Sequence, residues 1–140
     1  MATTVTVPDH WELHADPDII EFRRVHWEQV AEGLRPLPQT GEVGDLAQRM
    51  SGYLHDTAML LRSAQEQLDH VWTRLLRRVI AVKEGRTVSI VLRNPADEVI
   101  VAKAVKAAKE IRKQANERLE RLVESVDRDV LPSMIRLLET

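Results

Sequence analysis

Two histidines four residues apart, His10 and His14, with Glu12 between them and Asp16 just beyond, come closest in this chain to a metal-binding pattern. On a helix that spacing would bring two imidazoles and a carboxylate to one side. The order is not H-E-x-x-H and the segment precedes a helix start, so a solvated arm accounts for the same residues more simply. His26, His55 and His70 are isolated and read as surface or core-edge residues. Ser51, Ser63, Ser89, Ser125 and Ser133 have no G-x-S-x-G context, and the five glycines form no phosphate-cradling loop. There is no cysteine, which excludes disulfides, thiolate zinc sites and a cysteine nucleophile. The carboxylates of residues 118–129 alternate with arginines at helical spacing, the pattern of a solvated face. We therefore assign no catalytic, cofactor-binding or metal residue, and the expectation is a non-enzymatic protein.

Charge is more informative than any such motif. The net value is only −2, yet residues 74–113 carry eleven Lys and Arg against four acids, and the remainder carries nine against eighteen. Arg74, Arg77, Arg78, Lys83, Arg86, Lys103, Lys106 and Lys109 are expected to gather as a basic tip, with Arg93 beside them. Lys103, Lys106, Lys109 and Lys113 stand three or four apart and could follow phosphates. No aromatic residue is interleaved for base stacking, so a solvated face or an acidic protein partner is preferred over nucleic acid. Trp27 and Trp72 lie on apolar helical stripes and read as core residues, with anchoring of a partner as their functional alternative.

The elements that would position these residues are helices. Asn94 is a good N-cap, Pro95 suits the first helical position, and Asp97 and Glu98 favour the positive end of the dipole. From there apolar residues recur at Ala104, Ala108, Ile111, Ala115, Leu119, Leu122, Val126 and Val130. A second long pattern runs over about 43–84, with Gly85 as its C-terminal cap. Asp16 and Pro17 open a shorter helix to about residue 34, ended by Gly33, Pro36 and Pro38. Pro132 separates a short C-terminal helix, 132–139, whose Met134, Ile135, Leu137 and Leu138 make it strongly apolar.

Residues 1–15 lack a sustained period and read as an extended or flexible arm. Residues 87–92 are β-branched and apolar, a strand signal; a strand-like linker is preferred because no pairing partner is evident. Aromatics are 4% of the chain, and Ala, Leu, Val, Glu and Arg dominate, as in extended helices. Neither a Sec-type signal nor a membrane span is expected, so the chain should be cytoplasmic as synthesised, with a non-Sec route if it is exported.

The segment Asp16-Pro17-Asp18-Ile19-Ile20, then Trp27-Glu28-Gln29-Val30-Ala31-Glu32-Gly33-Leu34, and then residues 61–72, ending Asp69-His70-Val71-Trp72, resembles the helical hairpin modules of WXG100 and ESX-type proteins of actinobacteria. That resemblance implies an all-helical, dimerising adaptor or substrate of type VII secretion.

The fold expected is all-α: an elongated antiparallel hairpin of two long helices with a shorter N-terminal helix, bundle-like or coiled-coil-like, in a single domain over 16–140. Its expected function is protein–protein interaction with self-association, through Trp27, Trp72, Met134, Ile135, Leu137 and Leu138, and no cofactor. The alternative is a small nucleic-acid-associated regulator that uses the basic tip.

Overall fold

The computed structural model describes residues 2–13, 17–34 and 41–139. Its elements, in chain order, are β1 (Thr3–Pro8), α1 (Pro17–Leu34), α2 (Gly41–Leu76), β2 (Ile80–Glu84), β3 (Thr87–Leu92), α3 (Pro95–Asp129) and α4 (Leu131–Glu139). The chain is mostly helical, but it also holds a three-stranded antiparallel sheet of order β1-β3-β2. The all-α expectation is corrected accordingly.

Three local readings change with it. The second helix stops at Leu76, eight residues before the expected end at Glu84, because residues 80–84 pair with β3. Val79 and Val82 continue a helical spacing, yet the short apolar run Ile80, Ala81 and Val82 fits a strand equally well, and pairing decides between the two. Gly85 is therefore not a helix cap. It sits in the two-residue turn between the paired Glu84 and Thr87, at φ 65°, and no other described residue has positive φ. Positive φ at the first turn position alone fits a type II′ hairpin turn. Finally, the N-terminal arm is not flexible over Thr3–Pro8: it is β1, paired residue for residue with β3 from Thr3↔Leu92 to Pro8↔Thr87.

The chain divides into two compact units. Unit 1 comprises Met1–His14 and Ser63–Gln114; unit 2 comprises Ala15–Arg62 and Ala115–Thr140. The core of unit 1 is built from Trp11, Leu68, Leu75, Val79, Val88, Ile90, Val101 and Ala108, with Val5, Val7, Val71, Trp72 and Ile100 packed against it. One face of the sheet thus supplies alternate residues, Val5 and Val7, Val88 and Ile90, Ala81, to the two helix segments. Asn94 caps α3 as its sequence requires, with Oδ1 accepting from the Asp97 amide at 3.0 Å.

Unit 2 packs differently. Its buried positions are dominated by small side chains, Ala31, Ala47, Ser51, Ala58 and Ala115, with Leu46, Leu61 and Val130 as the large ones. Arg49 and Tyr53 of α2 meet Asp129 at the end of α3: Arg49 Nη1 lies 2.6 Å from Oδ1 and the Tyr53 hydroxyl donates to Oδ2 at 2.9 Å.

Candidate functional site

The expected basic tip resolves into separate places within unit 1. Arg74, Arg77 and Arg78, on and just beyond the last turn of α2, join Lys103 of α3 around one cleft of about 570 Å³. Its floor is apolar: Val71, Leu75, Ile100, Ala104 and Ala107. Periodicity explains most of the arrangement, because residues 71, 74 and 75 share one side of α2, with Arg78 in the turn just beyond it, and 100, 103, 104 and 107 share one side of α3. Arg74, Arg77, Arg78 and Lys103 are exposed, and none makes an ion pair among the described residues. The neighbouring Arg93, by contrast, is committed: its Nε donates to Asp97 Oδ2 at 3.1 Å and its Nη2 to the Arg78 carbonyl at 2.8 Å. The Arg93 side-chain and backbone hydrogen bonds hold the Asp97 carboxyl below its ordinary range.

Lys106 and Lys109 lie elsewhere on α3, beside a shallow depression with Ala102, Val105, Glu110 and Lys113. Arg86 is exposed in the β2–β3 turn. Lys83 is drawn inward, with Nζ 3.1 Å from Glu12 Oε2, 3.5 Å from Asp9 Oδ2 and 5.0 Å from the Trp72 ring centroid. Its charge is neutralised locally and does not belong to the cleft.

Trp72 is half-buried against the core of unit 1, tilted onto Trp11 at a centroid distance of 5.2 Å. Trp11 itself has 0% exposure. Sequence reasoning missed it, since it sits in a stretch without periodicity. Gln65 of α2 fixes that stretch by accepting from the Leu13 amide at 2.9 Å and donating to the Trp11 carbonyl at 3.0 Å. His10 stacks edge-on to Trp11. Burial, then Lys109 and Arg112, push its pKa down against the opposing pull of Asp9. Glu12 is bound to Lys83, and its carbonyl accepts from Arg112 at 2.7 Å; His14 and Asp16 lie outside the described residues. Among the described residues no group of three or more His, Cys, Asp or Glu could hold a metal ion.

In unit 2, Trp27 is half-buried on α1. Large apolar side chains stand in solvent: Phe22 at 77% exposure, Val123 at 60%, Met59 at 53%. On α4, Leu131, Met134 and Ile135 are 46%, 39% and 48% exposed. Those three positions share one helical face. The side chains of Leu137 and Leu138 lie outside the described residues. No described helix is long and apolar enough to cross a membrane.

Comparison with protein-family models, with curated proteins and with solved structures gives no match.

Proposed function

We propose that the chain is a non-enzymatic helical interaction module that associates with itself through unit 2. The carrying observation is the inversion in that unit, which buries alanines and leaves Phe22, Met59, Val123, Leu131, Met134 and Ile135 in solvent. Fully covering an exposed large apolar side chain is worth about 1.5–3 kcal/mol. The three on one face of α4, a little under half exposed, each gain part of that once a second surface covers them, and together they favour association. A two-fold contact is the simplest way for one chain to cover such a face with another copy of itself. The resemblance to WXG100 proteins supports a setting for the module as adaptor or substrate in type VII secretion, with another protein as its further partner.

The test is light scattering after size-exclusion chromatography in high salt, with and without Met134→Asp and Ile135→Asp. The expected result is a small oligomer that survives salt and becomes a helical monomer in the double variant. A wild-type monomer in high salt overturns the reading.

A further inference from the structure

The apolar face of α4 leaves the cleft of unit 1 unexplained. Three arginines and a lysine surround an aliphatic floor, with no carboxylate to neutralise them among the described residues. Unpaired guanidinium groups around an apolar groove are arranged for a ligand with both an acidic and an apolar side. No aromatic residue lines the cleft, so it offers bases nothing to stack on, and its floor would be idle against a phosphate chain.

The complementary surface is present on the same chain. In the second half of α3, Glu117, Glu120, Glu124 and Asp127 are exposed, and Val123 stands in solvent beside them. Of the four carboxylates only Glu124 has an ion-pair partner among the described residues, Arg128 at 3.8 Å. At about 100° per residue, Glu120, Glu124 and Asp127 fall within one narrow sector with Val123 at its margin. Glu120 and Glu124 are four residues apart on α3, about 6 Å along its axis, so both can face the one cleft that Arg74, Arg77 and Arg78 line.

We propose that the cleft of one copy receives the acidic stripe of α3 from a second copy, with Glu120, Glu124 and Asp127 against Arg74, Arg77, Arg78 and Lys103, and Val123 against the aliphatic floor. The proposal deepens the self-association argued above and rests on it. The contact joins unlike surfaces, so it propagates from copy to copy. It also depends on charge, which the α4 contact does not. At high salt the oligomer held by α4 remains; at low salt it grows through the cleft.

Charge reversal tests this directly. Arg77→Glu with Arg78→Glu empties the cleft of two cations, and Glu120→Arg with Glu124→Arg reverses the stripe; all four residues are exposed. Lys103→Glu supplies a second cleft variant, on the other wall, should reversal at the end of α2 disturb folding by circular dichroism. The expected result at low salt is that each variant alone loses about tenfold or more in the association that salt suppresses. Mixing a cleft variant with the stripe variant restores association between the two kinds of chain, because the native cleft of the stripe variant meets the native stripe of the cleft variant, and the two reversed surfaces are again opposite in charge. Failure of the mixture to associate overturns the proposal. So does a low-salt assembly that both single variants retain, or a cleft that binds a short DNA duplex while self-association ignores Arg77 and Arg78. The α4 variant separates the two ideas. If Met134→Asp with Ile135→Asp abolishes the high-salt oligomer while the charge-reversed mixture stays inactive, the module reading stands and the cleft assignment falls.

Discussion

At the scale of single residues, unit 1 depends on a few side chains whose sequence context concealed them. Trp11 has 0% exposure in a segment without helical or strand period, so only its size marked it as a core residue. Trp11→Ala should lower unfolding free energy by about 3–5 kcal/mol, as truncation of a buried aromatic does, measured by urea denaturation. Gly85 was legible as a glycine able to take positive φ, but as a helix cap rather than a hairpin turn residue. At φ 65° an alanine has open space around its Cβ and still carries the backbone penalty, so Gly85→Ala should cost about 1–2 kcal/mol in the same measurement. His10 gives a pH signature. Its folded pKa lies below 6.5 because burial, Lys109 and Arg112 disfavour the cation. The unfolded chain therefore takes the proton first, and stability present above about pH 6.5 declines as pH falls toward the folded value. His10→Gln should flatten that part of the stability profile.

At the scale of elements, the start of α3 could be read from four residues because its determinants are local. Asn94, Pro95, Asp97 and Glu98 each act on the first turn, and the Asn94 cap forms as expected. Replacing it, Asn94→Ala, should cost about 1 kcal/mol in denaturant unfolding, with the loss of amide protection confined to the first turn of α3. The sheet was not legible for the opposite reason. Residues 80–84 carry three apolar residues in a row and no polar alternation to outweigh the helical spacing that runs into them, and β1 and β2 flank β3 from places 79 residues or more and a few residues away in sequence. Pairing at such separation leaves no local signal beyond β-branched composition. Thr87–Leu92 displayed that composition clearly; the partners that make it a central strand are what the sequence withheld. The same holds for the candidate cleft. The cations were visible as a cluster, but their division into a cleft, a neutralised Lys83 and a separate Lys106 and Lys109 surface depends on where α2 ends.

At the scale of the whole molecule, a net charge of −2 conceals two units that each fix a carboxylate below its ordinary pKa. In unit 1 the group is Asp97, held chiefly by Arg93; in unit 2 it is Asp129, held first by the Tyr53 hydroxyl and then by Arg49. For a depressed carboxylate the stabilisation is complete above the unfolded pKa of about 3.9 and disappears as pH falls through the lower folded value. Acid should therefore weaken both units below about pH 4, after the His10 contribution to unit 1 has already been lost. Asp97→Asn should reduce the acid sensitivity of amide protection around the start of α3, and Asp129→Asn that around the junction of α3 and α4. The baseline protection of each variant at neutral pH should be lower, because a neutral amide accepts more weakly than a carboxylate from Arg93, or from Arg49 and Tyr53. Hydrogen exchange followed from pH 7 to about pH 3 separates the two sites, since each substitution acts on the amides of its own turn. If protection at either site falls with acid as steeply in its Asn variant as in wild type, that carboxylate does not link folding to pH, and its hydrogen bonds are too weak in solution to hold the pKa down.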